Sequence, residues 1–270
     1  MDVYWLKQCE SEVPHQQDWL SAREASFLDN LRFPQRRASW RLGRWTAKRA
    51  LATFSNLPDS PSSLAKIEVR PEPSGAPEAF FENKIAPVAI SLSHRHGTAV
   101  CAIAPSGAAL GCDLEMIEDH SDPFVADYFT AEEQSLVRQQ SEASQPRLLA
   151  LIWSAKESAL KALHVGLRLD TRSVEVELND CSADGTDWDS LRVHHSGGQI
   201  FDGWWKIIDA MVLTFVATPS LAIPIALKVS ADQLDGVPGA TRPVESIGSD
   251  AMAAPATETG SDPQVGPRPD

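Results

Sequence analysis

Leu110-Gly111-Cys112-Asp113-Leu114-Glu115 and Trp153-Ser154-Ala155-Lys156-Glu157-Ser158-Ala159-Leu160-Lys161 are the two ends of the stretch on which the reading of this 270-residue chain turns. Asp113 and Glu115 lie two apart on a run with strand character, so both carboxylates point to one face, while Glu157 and Lys161 are one turn apart on a helix. Three acids and a lysine could therefore share one site. Taken alone, the helical pair reads as a surface ion pair at i,i+4, worth about 0.2–0.5 kcal/mol. It falls opposite the apolar stripe Leu148, Ile152, Ala155, Ala159 and Leu163 of a helix expected over Arg147 to Leu163, with Gly166 ending it.

Outward from this stretch, Ala109 to Glu115 reads as a strand and Glu118 to Asp122 as an acidic loop. Thr130 and Glu133 form a capping box that opens a further helix. Upstream, Val88 to Leu92 and Ala99 to Ala104 are expected strands around a loop of donors, Ser93-His94-Arg95-His96-Gly97. Val3 to Gln8 and Ile67 to Arg70 are expected strands, and Gln17 to Leu31 and Arg36 to Phe54 expected helices. Downstream, Ser173 to Leu178, Leu191 to His195, Gly203 to Ile208 and Met211 to Thr218 alternate as strands, the last two joined by a tight turn at Asp209-Ala210. The fold class is α+β.

The chain is 43% hydrophobic, enough for a core, and no apolar run approaches a membrane span. The start, Met1-Asp2-Val3-Tyr4-Trp5-Leu6-Lys7, lacks the plan of a signal peptide, so a cytoplasmic protein with no membrane partner is expected. Four scattered cysteines, Cys9, Cys101, Cys112 and Cys181, point to neither a zinc site nor a disulfide scaffold. A net charge of -13 argues against nucleic acid as a partner. That charge is uneven. Residues 231 to 270 hold seven acids and two bases, whereas residues 23 to 49 hold eight bases against Glu24 and Asp29, a local +6. The basic run reads either as a solvated helix face or as a contact surface for a small anionic ligand or an acidic partner. Beyond Lys228, large apolar residues almost vanish, and a disordered acidic tail over 229–270 is expected.

Magnesium takes hard oxygen ligands and is usually held by one or two carboxylates plus substrate phosphates. Asp113, Glu115 and Glu157 supply such oxygens without soft ligands, and Lys161 could neutralise charge on the same phosphates. This is equipment for phosphoryl transfer. The same acids could equally decorate a solvated strand.

Order and spacing decide between these readings. Ser91-Leu92-Ser93-His94, then Gly111-Cys112-Asp113-Leu114-Glu115, then Phe129-Thr130-x-x-Glu133, then Trp153-Ser154-x-Lys156-Glu157-Ser158-x-x-Lys161 resembles the motif series of the 4′-phosphopantetheinyl transferases, specifically the larger surfactin-synthetase type. The resemblance covers roughly residues 1 to 220. It implies a monomer of two pseudo-symmetric α+β halves, 1–105 and 106–228, with coenzyme A in the cleft between them. It implies transfer of the phosphopantetheine arm from coenzyme A to a serine of an acyl, peptidyl or polyketide carrier protein, with release of adenosine 3′,5′-bisphosphate. By the same resemblance, Asp113, Glu115 and Glu157 are the magnesium ligands and Glu157, directly or through water, helps deprotonate the carrier serine. Lys161 touches the pyrophosphate, and Ser93, His94, Arg44 and Lys48 contact coenzyme A. A non-catalytic relative that binds coenzyme A or a carrier protein is the alternative, permitted by two departures: Ala76 where the family often has a base, and His164 where it commonly has glycine.

Overall fold

A computed structural model describes residues 1–179 and 187–229, so both the expected tail, from Ser230 onward, and Cys181 lie outside the described residues. In chain order the strands are β1 (Tyr4–Cys9), β2 (Ile67–Pro71), β3 (Pro77–Phe81), β4 (Lys84–Ile85), β5 (Val88–Arg95), β6 (Thr98–Pro105), β7 (Ala109–Met116), β8 (Val174–Leu178), β9 (Asp189–His195), β10 (Ile200–Ile208), β11 (Met211–Thr218) and β12 (Ile225–Ala226). The helices are α1 (Ala22–Asn30), α2 (Pro34–Phe54), α3 (Pro61–Leu64), α4 (Asp122–Tyr128), α5 (Ala131–Arg138) and α6 (Gln145–Ala162). The fold is mixed α+β. One sheet runs β12-β1-β6-β5, a second β7-β11-β10-β9-β8, and a small third β2-β3-β4. All pairings are antiparallel except β12 on β1.

The two larger sheets meet face to face, and a long helix covers the outer face of each. Alternation along the central strands makes this possible. On β6, Cys101 and Ile103 pack with Leu51 and Trp45 of α2, while Val100, Ala102 and Ala104 face the second sheet. On β11, Val212 and Val216 pack with Ile152 and Ala155 of α6, while Leu213, Phe215 and Ala217 face the first. A strand covered on both faces reads as an unbroken apolar run, as Ala99 to Ala104 does. On β7, Leu110, Cys112 and Leu114 enter the shared core. Gly111, Asp113 and Glu115 are therefore turned to the α6 side.

Several boundaries differ from the sequence reading. The first helix starts at Ala22 rather than Gln17, because Ser21 caps it and Glu24 returns the bond to the Ser21 N–H. Ser93, His94 and Arg95 belong to β5 rather than to a loop. The hairpin turns in two residues, His96 and Gly97, both at positive φ (47° and 69°), as the tight turn joining twisted strands requires. Asp122 to Tyr128 is helical, opened by Pro123 and a Ser121 cap. The long helix ends at Ala162, ahead of Gly166. His164 takes the left-handed conformation (φ 56°), and the Val165 N–H closes on the Leu160 carbonyl at 3.2 Å. This is the position at which the resembled family commonly has glycine, and Glu72 Oε2 lies 3.5 Å from the His164 ring.

Candidate active site

The site begins with the absence of a side chain. A Cβ on Gly111 would lie 1.7 Å from the Ser158 carbonyl oxygen and 3.0 Å from the Ala162 nitrogen, so α6 rests on bare β7 backbone. One strand over, Thr214 pairs with Asp113 in register, and its hydroxyl bonds Ser154 Oγ (2.9 Å) and Ser158 Oγ (2.7 Å). These buried contacts fix the helix along the strand and bring Glu157 and Lys161 over Asp113 and Glu115. One ligand atom from each of Asp113, Glu115 and Glu157 lies within 4.8 Å of the other two.

The i,i+4 pair is thus no surface ion pair. Lys161 Nζ stands 3.9 Å from Glu157 but 2.6 Å from Asp113 Oδ1, and it also donates to the Cys112 carbonyl at 3.1 Å. The face opposite the apolar stripe is covered because the strand comes close enough to claim it.

Three alternate residues of β5 stitch the two sheets together along β7. Ser91 Oγ accepts from the Cys112 N–H (2.9 Å). Ser93 Oγ accepts from the Leu114 N–H (3.2 Å) and donates to Asp113 Oδ1 (2.9 Å). Arg95 reaches Glu115 (3.4 Å) and Glu118 (2.8 Å). Ser93 therefore orients an acid of the cluster. His94 reaches the surface beside it. The shielding it has from water lowers its pKa, Lys161 acts in the same sense, and Asp113 opposes them.

The electrostatics of the cluster call for a cation. Burial, then the Asp113 charge, push Glu115 up to about 8 and Glu157 up to about 7. Burial alone would lower the Lys161 pKa, but Asp113 and Glu157 outweigh it and hold the ammonium above its ordinary range. Asp113 Oδ2 is buried and lacks a hydrogen-bond partner. Hard oxygens, excess negative charge and an unpartnered carboxylate oxygen are the donor set that a divalent cation fits. Residues 109–201 match the family model of the 4′-phosphopantetheinyl transferase superfamily.

No curated protein matches the chain. The transferase-superfamily match covers β7 through the start of β10, and with them Asp113, Glu115, Glu157 and Lys161; Arg44, Lys48, Ser93, His94 and Arg95 lie upstream of it.

The basic run divides differently from its reading in the sequence. Lys48 is completely buried: it pairs with Glu24 Oε2 at 2.5 Å and donates to the carbonyls of Trp19 (3.0 Å) and Leu64 (3.1 Å). Three partners use its three protons, which leaves none for a phosphate. Arg44 Nε lies 4.0 Å from Glu24, and its guanidinium stacks on Trp40 at 5.0 Å. Arg37 binds the Leu28 and Leu31 carbonyls, and Arg41 those of Pro14 and His15. Much of the local +6 therefore holds the first helices and the chain around them in place.

Glu133 has the same kind of task. It caps α5 through Thr130, accepts from the Val176 N–H at 3.1 Å, and pairs at 2.9 Å with Lys156, which also donates to the Thr171 (2.9 Å) and Val174 carbonyls. Sequence reasoning gave no role to Gly111, Thr214 or Arg95. Arg95 carried a signal, two residues after Ser93 on what proved to be the same strand. The role of Gly111 depends on a helix 47 residues away and left none in the local pattern.

Proposed function

We propose that this chain transfers the 4′-phosphopantetheine group of coenzyme A to a serine of an acyl, peptidyl or polyketide carrier protein, with magnesium, and releases adenosine 3′,5′-bisphosphate. The observation that carries the reading is the group Asp113, Glu115 and Glu157, with Asp113 Oδ2 buried and unpartnered, inside the superfamily match. Asp113, Glu115 and Glu157 would hold the magnesium, which would supply charge neutralisation at the pyrophosphate. Lys161, anchored on Asp113, presents its ammonium to the same phosphates, and His94 stands beside it. Glu157, directly or through a water, takes the proton from the carrier serine. The serine oxygen bonds to the phosphorus of the phosphopantetheine arm, and the phosphoanhydride oxygen leaves with the adenosine bisphosphate.

The reading extends to architecture: a monomeric, cytoplasmic enzyme of the surfactin-synthetase type, with pseudo-symmetric halves over 1–105 and 106–228. Two features support the pseudo-symmetry. Each half runs from a strand through a capped helix and a long helix into returning strands. Each also buries a capping glutamate on a lysine of its long helix, Glu24 on Lys48 and Glu133 on Lys156. A cleft of about 500 Å³ lined by Glu72, Glu78, Val88, Ala109 and His164 lies between elements of the two halves, and coenzyme A is proposed to bind between those halves with its phosphates at Lys161 and His94.

The test is to incubate the protein with an apo carrier protein, coenzyme A and magnesium and to weigh the carrier. A gain of one phosphopantetheine mass is expected. No gain on any of several carrier types, while a known transferase modifies them alongside, would overturn the catalytic reading and leave the binding-only relative.

A further inference from the structure

The first and second teeth of the β5 seam are neutral serines, and the third is a cation. Arg95 Nε lies 3.4 Å from Glu115 Oε2, and its far nitrogen is 2.8 Å from Glu118 Oε1, so the guanidinium spans one acid of the metal group and one acid outside it. Its Nε is buried and has no hydrogen-bond partner, because 3.4 Å to Glu115 is a charge contact without a formed bond. The Glu118 contact is the shorter. The side chain is 39% exposed, which leaves it room to move.

From this geometry we infer that Arg95 is a built-in counter-cation of the carboxylate group, a positioning residue that occupies the charge field at Glu115 until a divalent ion replaces it, with Glu118 as the tether onto which it withdraws. The inference rests on the metal reading above and goes beyond it. A divalent ion at Glu115 and a guanidinium 3.4 Å from one of its oxygens repel each other, so ion entry favours an outward movement of Arg95. Glu118 lowers the cost of that movement because it already holds the outer nitrogen. The arrangement adds a second counter-charge, at Glu115, to the one Lys161 supplies at Asp113, and it weakens the affinity of the free protein for the ion.

The experiment is a Mn2+ titration of the full chain without coenzyme A or carrier, with free ion counted by electron paramagnetic resonance. Arg95→Gln is expected to tighten Mn2+ binding about fivefold, the equilibrium equivalent of one partly exposed ion pair. Glu118→Gln is expected to weaken it, because Arg95 then leans wholly on Glu115. In the Arg95→Gln background the Glu118→Gln change should have no further effect, since the tether has nothing left to hold. Arg95→Lys, which keeps the charge, should stay near the parent, and Arg95→Met, which removes the charge at similar length and should tighten binding as glutamine does, serves if the glutamine variant does not fold. Unchanged or weaker binding in Arg95→Gln would overturn the inference. So would an equal Glu118→Gln effect in both backgrounds, which would mean a plain field effect. If the parent itself binds no Mn2+, the metal reading falls and the inference with it, a result distinct from a parent that binds and variants that do not differ.

Discussion

Lys48 and Lys156 perform one task in two places, and the residues that follow them do not. Each lysine is fully buried on a long helix, pairs with the glutamate of a capping box, and donates to two backbone carbonyls. Each glutamate also accepts from a strand N–H, that of Val69 or Val176. The next residue on the first helix is Arg49, which donates to Gln8 on β1 (2.7 Å) and to Asp59 (2.9 and 2.6 Å), so every charge there has its opposite. The next residue on the second is Glu157, which faces two more acids on β7. The same strand–helix junction is electrically closed in one region and open in the other. The locks hold the architecture, and the proposed metal site lies where one junction departs from charge balance.

The largest effects should come from breaking the locks. Lys48→Met and Lys156→Met should each cost about 3–5 kcal/mol in urea unfolding, because each strands a buried carboxylate. Only the second should also weaken Mn2+ binding in the protein that remains folded. Equal loss of ion binding in both would mean that the two regions are not separable. Next, Glu157→Gln should slow carrier modification by about a hundredfold or more with no fall in the urea midpoint, since it relieves crowding among like charges. A midpoint that falls instead would make Glu157 a structural partner. The smallest effects compare two glycines. Gly111→Ala should destabilise by about 1–3 kcal/mol and loosen ion binding, because the methyl meets helix backbone. Gly43→Ala on α2, where a Cβ meets nothing within 4 Å, should stabilise by about 0.5–1 kcal/mol. Like behaviour of the two would mean that the close approach of α6 to β7 sets nothing.

Much of this was legible because strands have a period of two. Asp113 and Glu115 had to share a face, and Thr130 with Glu133 had to open a helix. The class of fold and the order of most elements followed from such local rules. What local rules could not say was which surface lies against which. Glu157 and Lys161 read as solvated because they oppose their helix's apolar stripe, and only the bare backbone at Gly111 lets a strand come under them. Lys48 was assigned to coenzyme A by the family resemblance, whereas its surroundings are two carbonyls and a glutamate contributed from elsewhere in the fold. Ser21-x-x-Glu24 was a capping box in plain view, overlooked because the apolar spacing began earlier. The strands β3, β4 and β12 and the helix α4 are too short or too irregular to carry a period.

The pairing of β12 along β1 also orders events in time. Tyr4 and Trp5 lie opposite Ile225 and Ala226, and the Ile225 and Leu227 N–H groups bond the Val3 and Trp5 carbonyls. During synthesis β1 can pair with β6 once Pro105 has emerged, but its other edge has to wait for a partner made some 220 residues after it. Until then the nascent chain carries an open, largely apolar strand edge, the kind of surface on which unfinished proteins associate wrongly. A ribosome that stalls before Ile225 would therefore hold a chain with its carboxylate site already translated and its first sheet still unsealed.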